Sequence, residues 1–267
     1  METPHRLKVL ITRPAHQAEK LASDIQAHGA IPVFFPSIEI VPIDNTVLLS
    51  QTFKNIDHYD CIIFISPNAV FQSAHYIHHF WPPWPKKTKI IAIGPGTEDT
   101  LKTLNLSVDY RPEKNFNSEG LLALPPLQNP KQKKILICQG ENGGLSLITL
   151  LEKRGAHVDT LNLYKRECPR LIKNNIPQQN EVDVIICTSN TGLKNLVNLL
   201  QADWHDALFD KQLLVISPRI AEFAKKLGFV KAPVISDNAS NEAILHTLSR
   251  WKKEIWSKNH QSSKPTS

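Results

Sequence analysis

Six short turns carry most of the residues in this sequence that are suited to meeting a charged ligand: TRPAHQ (12–17), SPNAV (66–70), GPGTE (94–98), CQGENGG (138–144), TSNTG (188–192) and SPRIAE (217–222). Each sets Ser, Thr, Asn, Gly or Pro where a helix would begin. Ordinary helix capping accounts for such residues. The same turns also offer the free N–H groups and the positive dipole end that favour anions. Several of them aimed into one cleft would hold carboxylates or phosphates. Arg13, directly after a strand, reads as an exposed base that either binds a ligand carboxylate or pairs on the surface. Tyr164, Lys165 and Arg166 stand together on an extended segment. There their side chains either face a ligand or pack with polar tips in water.

Other groupings carry less. GPGTED begins like a dinucleotide fingerprint, but Asp99 stands where the third glycine belongs and the turn does not follow the first strand. No GxxxxGK[ST] phosphate loop occurs. His75, His78 and His79 have a helical spacing that a metal can use. No carboxylate or cysteine neighbours them, so a solvated helix end fits them better and no metal site is expected. Cys61, Cys138, Cys168 and Cys187 lack CxxC spacing, and three of them lie in apolar runs. They read as reduced core thiols of a cytosolic protein.

The elements that must position these turns follow from alternation. Apolar runs at 9–12, 61–66, 90–93, 135–138, 184–188 and 213–216 alternate with helical patterns. That predicts an α/β fold of parallel sheets with helices on both faces, and such sheets bind ligands at the carboxyl ends of their strands. The pattern also repeats. Lys8 of KVLITRP and Lys134 of KILICQG are 126 residues apart, as are Gly29 and Gly155. Asp60 of DCIIFISPNAV and Asp183 of DVIICTSNTGL are 123 apart, as are Gly94-Pro95 and Ser217-Pro218, and Ser118-Glu119 and Asn241-Glu242. Near-constant offsets through several kinds of unit predict an internal duplication.

Two stretches, AIPVFFPSIEIVPID (30–44) and AHVDTLNLYKRECP (156–169), read as extended throughout. At about 3.3 Å per residue the first would reach on the order of 45 Å, against roughly 17–20 Å for a usual strand. One per copy, they read as connectors between two domains. The expected organisation is a discontinuous first domain (1–36 and 171–256), connector strands (37–42 and 164–170), a second domain (43–163) and a disordered tail (257–267).

Composition sets outer limits. The 267 residues are 41% hydrophobic and 21% charged, ordinary for a globular protein of two modest domains. A net charge of +6 leans towards an anionic partner but is too dispersed to announce nucleic acid. No signal peptide or membrane span is legible.

Five stretches, taken in order, resemble the uroporphyrinogen-III synthases over roughly residues 7–250: VLITRPAHQAEKLASDIQAHGAIPVFFPSIEI, IIFISPNAV, IIAIGPGTEDTL, GAHVDTLNLYKRE and IICTSNTGL. The resemblance implies two flavodoxin-like, doubly wound domains on a two-stranded connector. It implies a cytoplasmic, monomeric lyase of tetrapyrrole synthesis with no cofactor, no nucleic acid and no membrane. The substrate would be hydroxymethylbilane, a linear tetrapyrrole polycarboxylate, with a transient handover from the preceding pathway enzyme. The enzyme would expel its hydroxyl, invert the last pyrrole ring through a spirocyclic intermediate and close the macrocycle. Tyr164 matches the family's connector tyrosine and would donate the proton; a phenol is protonated at neutral pH, as a donor must be. By motif position the substrate anchors would be Arg13, Ser66, Asn68, Gly94, Thr97, Thr188, Ser189, Asn190, Thr191 and Arg219. Two turns depart from the family. Arg219-Ile220 stands where a small hydroxyl residue often follows the Pro, and QGENGG has no arginine.

Two rivals explain part of the same pattern. A non-catalytic, two-lobed small-molecule receptor accounts for duplication and hinge, but such receptors are commonly exported. A two-domain sugar transferase needs a nucleotide-diphosphate site that the sequence lacks.

Overall fold

The computed structural model describes residues 6–170 and 175–261. Its strands are β1 (Lys8–Ile11), β2 (Ile31–Phe34), β3 (Glu39–Pro42), β4 (Cys61–Phe64), β5 (Lys89–Ala92), β6 (Lys134–Gly140), β7 (His157–Glu167), β8 (Val184–Cys187), β9 (Gln212–Val215) and β10 (Val234–Ile235). The chain divides into two compact units, Met1–Glu39 with Glu167–Ser267, and Ile40–Arg166. The expected start of the second part of domain one (171–174) and the end of the expected tail (262–267) lie outside the described residues, as do residues 1–5.

The first unit is built on a sheet of order β10-β9-β8-β1-β2, parallel at every pairing. Counted along the unit the order is 2-1-3-4-5, a doubly wound arrangement. Its central strands are apolar at consecutive positions because both faces are covered. In β8, Ile185 and Cys187 pack with Leu193, Leu196 and Ile220 from the helices Asn190–Trp204 and Pro218–Leu227. Val184 and Ile186 pack on the other face with Leu21, Ile25 and Ile244 from the helices Ala15–Ala27 and Asn241–Gln261. Each of these fully buried aliphatic side chains stabilises the unit by about 1.5–3 kcal/mol.

The second unit is built on the order β3-β7-β6-β4-β5, which counted along the unit is 1-5-4-2-3, with β5–β4, β4–β6 and β6–β7 parallel. Ile62 and Phe64 of β4 meet Phe53, Val70 and Ile77, whereas Cys61 and Ile63 meet Leu121, Leu147 and Leu151. Parallel sheets covered on both faces were expected from the apolar runs, and the observed strands fall at those runs.

Residues 30–44 do not form one long strand. β2 ends at Phe34 and β3 begins at Glu39. Between them Phe35 N–H still donates to Ile11 O (3.1 Å) and Ser37 N–H to Thr12 O (3.0 Å). These two bonds carry the pairing with the first strand past Pro36, as far as Ser37. β3 then lies beside β7 at the edge of the second sheet. Its counterpart 156–169 is largely a single strand, the 11 residues of β7. At the C-terminus the last helix runs Asn241–Gln261, so residues 257–261 of the expected tail are helical. No Gly or Pro interrupts the chain between 241 and 261 to stop it earlier.

All four thiols are free; Cys61, Cys138 and Cys187 are buried and Cys168 is exposed. Burial pushes Cys61 and Cys187 up to about 11 and Cys138 higher still, so none of these three is a thiolate at neutral pH. No helix among the described residues is long and apolar enough to cross a membrane.

Candidate active site

The carboxyl ends of β4, β5 and β6 bring three turns to the same end of the second unit's sheet as the end of β7. After β4, Ser66 is extended (φ −167°) and caps the helix Pro67–Phe80, its Oγ accepting from Ala69 N–H at 3.1 Å. Pro67 occupies the first helical turn, and Asn68 is buried behind it. After β5, Gly94 starts the helix Pro95–Thr103 with no side-chain cap. A Cβ at Gly94 would lie 3.2 Å from the Phe116 side chain, so this helix start stays bare. Thr97 is buried one turn in. The two turns touch, since a Cβ at Gly96 would meet Pro67 at 3.7 Å.

The strand β7 supplies Tyr164. The register of β6 against β7 shifts between Gln139 and Gly140, which sets Gly140 opposite Tyr164. The ring lies on that glycine; a Cβ there would stand 2.6 Å from ring Cε2 and Cζ and 3.0 Å from the hydroxyl oxygen. Glu141 N–H donates to Tyr164 O at 2.7 Å and fixes the backbone. The side chain is fully buried. Its hydroxyl lies 2.9 Å from Ser66 Oγ and accepts from Arg166 Nη2 at 2.8 Å. Two hydroxyl protons serve one bond between these oxygens. Whichever group donates to the other, one O–H remains to be offered to a ligand.

Beneath this pair Gln139, 3% exposed, donates through Nε2 to Asn162 Oδ1 (3.0 Å). Its Oε1 is buried with no partner among the described residues and lies against Gly143 and Gly144. Gly144 adopts φ 63° and begins the helix Leu145–Lys153, again without a side-chain cap. Sequence reasoning saw the glycines here and passed over Gln139. The signal was an amide closing the apolar run ILICQ, a position where a polar group is costly unless it has a task.

The first unit gathers its own turn. Ser189 caps the helix Asn190–Trp204 by accepting from Gly192 N–H (3.0 Å), and Thr188 and Ser189 are half-buried. Asn190 Oδ1 is buried without a partner among the described residues, and Thr191 is exposed. Arg219 is exposed near the start of the helix Pro218–Leu227. The histidines 75, 78 and 79 remain apart from any site. His75 stacks with His79 at 6.2 Å, and no cluster suited to a metal occurs among the described residues.

Arg13 departs from expectation. It is 8% exposed, not an open surface base. Nη1 donates to Asn241 Oδ1 (2.9 Å) and Nη2 to Ala239 O (2.5 Å). Burial pulls its pKa down to about 10, which leaves it charged at neutral pH. The guanidinium therefore ties the first strand to the start of the last helix. Arg13→Ala should lower stability by about 1–3 kcal/mol, because it removes a buried side chain and its two hydrogen bonds. A urea titration reads this, and KM should stay nearly unchanged; a large KM rise at unaltered stability would restore Arg13 to substrate binding.

The family described as uroporphyrinogen-III synthase HemD matches residues 19–246. The chain belongs to the uroporphyrinogen-III synthase family. It is 32% identical over 253 residues to the uroporphyrinogen-III synthase of Escherichia coli K12, spanning 91% of this chain and all of that one. The Salmonella typhimurium uroporphyrinogen-III synthase is 31% identical with the same coverage. In fold, the chain is similar to a mutant uroporphyrinogen III synthase of Thermus thermophilus (TM-score 0.59, 15% identity, 94% of this chain and 99% of that one). A Helicobacter pylori uroporphyrinogen-III synthetase gives a TM-score of 0.56 at 16% identity, covering 92% and 99%. Every candidate residue except Arg13 lies inside the stretch matched to the synthase family.

Proposed function

We propose that this chain closes hydroxymethylbilane to uroporphyrinogen III, with Tyr164 as the proton donor. The observation that carries the reading is the buried Tyr164 hydroxyl, bonded to Ser66 and Arg166 at the carboxyl end of its sheet. The pyrrole nitrogen pushes electrons towards the hydroxymethyl carbon, the C–O bond breaks, and the oxygen takes the Tyr164 proton and leaves as water. The azafulvene so formed is attacked by the far end of the chain. Inversion of the last ring follows through the spirocyclic intermediate, and the proton lost on closure returns the phenolate to phenol.

The harder task is conformational, because the reactive chain also closes without inversion. Holding its carboxylates fixed puts the wrong closure out of reach. The uncapped helix starts at Gly94 and Gly144 and the hydroxyls of Ser66 and Thr97 suit that role in the second unit. Asn68 joins them there, and Thr188, Ser189, Asn190, Thr191 and Arg219 serve in the first unit. A cytoplasmic monomer receiving its labile substrate directly from the preceding enzyme belongs to the same proposal.

A duplication of flavodoxin-like halves is also part of it. The orders β2-β1-β8-β9 and β7-β6-β4-β5 correspond strand by strand. β1 and β2 precede β6 and β7 by 126 residues, and β4 and β5 precede β8 and β9 by 123. Each sheet thus takes two strands from each copy. The chain passes between units at residues 39–40 and 166–167, next to the adjacent strands β3 and β7, which supports a two-stranded connector.

The test is to supply hydroxymethylbilane and separate the isomers formed. The inverted isomer should dominate in the presence of protein. Only non-inverted product, at the rate seen without protein, would defeat the proposal and leave a binding protein.

A further inference from the structure

Arg166 is two residues beyond Tyr164 on the same strand, so both side chains leave the same face of β7. Its Nη2 donates to the Tyr164 hydroxyl at 2.8 Å, and the guanidinium carbon stands 5.1 Å from the ring centroid. Arg166 is exposed, and its guanidinium reaches back to the buried hydroxyl. The arrangement gains its value when the phenol loses its proton, because a charge-assisted bond to an oxyanion is about twice as strong as a neutral one.

The geometry points to Arg166 as the positioning residue that holds and charges Tyr164 for proton donation, which rests on the reading of Tyr164 as the acid. In the ground state its N–H occupies one lone pair of the phenol oxygen and turns the O–H away from the strand end. As the substrate C–O bond breaks, the Tyr164 O–H bond breaks with it and the proton goes to the departing oxygen. The negative charge left on the phenol oxygen then faces the guanidinium. Ser66 holds the second side of the same oxygen at 2.9 Å. The interaction strengthens towards the transition state, so it acts on kcat more than on KM.

The experiment compares Arg166→Met, Arg166→Lys and Tyr164→Phe, singly and combined, with steady-state kinetics on hydroxymethylbilane and a thermal melt for each. Arg166→Met should lower kcat about 10- to 30-fold with little change in KM, and Arg166→Lys should recover part of that loss. Combined with Tyr164→Phe, the Met variant should cost almost nothing further, because the oxygen it served is gone. A rise in KM at constant kcat, or a full additional loss in the Tyr164→Phe background, would overturn the proposal and make Arg166 a direct substrate contact. A normal kcat in Tyr164→Phe, with a loss still seen in Arg166→Met, would instead remove the acid role on which the proposal stands. The melts separate these outcomes from unfolding.

Discussion

Tyr164→Phe lowers kcat about 100-fold, the low end for a general acid, and leaves the fold intact. The ring keeps its seat on Gly140, and only the hydroxyl is lost. Ser66 Oγ still accepts from Ala69 N–H, so the helix it caps keeps its start. Arg166 is exposed and turns to water. The stability cost is therefore that of one ordinary hydrogen bond, about 0.5–1.5 kcal/mol. KM should change less than kcat, since in the proposed reading the Tyr164 proton goes to the leaving oxygen and not to a carboxylate. Steady-state turnover with isomer separation, beside a melting curve, reads all of this. Turnover equal to that of the unmodified protein would strip Tyr164 of its role.

Gly140→Ala acts on the same group through packing. The new methyl would stand 2.6 Å from two ring atoms of Tyr164, well inside contact distance. Neither side yields readily, because β6 and β7 pair without interruption from Lys134 to Gln139 and Glu141 N–H holds Tyr164 O just past the shift. The ring is displaced, and its oxygen leaves Ser66 and Arg166. Overpacking of this kind costs about 1–3 kcal/mol. The turnover loss approaches that of Tyr164→Phe, with a denaturation midpoint lowered further than in the Phe variant. An alanine variant with normal midpoint and normal kcat would mean that the ring has another productive seat.

The sheets were legible where burial acts on both faces. Runs such as CIIF and VIIC have no alternation to confuse, and turn residues bound them closely. The two-residue strand β10 gives no such run and went unnoticed. The segment 30–44 reads as continuous because Pro36 and Ser37 are as compatible with extended backbone as with a break. Only the bonds to Ile11 and Thr12 show where it leaves its sheet.

Site residues were legible where a local rule governs them. Ser66 and Ser189 announce themselves as caps. The burial of Arg13 was not legible because its environment is made by Ala239 and Asn241, more than two hundred positions away in the chain. The need for glycine at 140 was hidden for a similar reason. It depends on the register of β6 against β7 and on an irregularity in that register, which side-chain periodicity does not encode.

The interrupted first unit imposes an order of events at the ribosome. Residues 40–166 form one uninterrupted stretch, so the second unit has all its strands as soon as Glu167 has emerged. β1 and β2 are made before any of them. They must wait for β8, because β1 pairs Val9 with Val184 and has no other neighbour on that edge. Until then the nascent chain carries an apolar strand edge with nothing beside it, the kind of surface that invites association with other chains. A translation stop after residue 167 would release a complete second unit still attached to an orphaned strand pair.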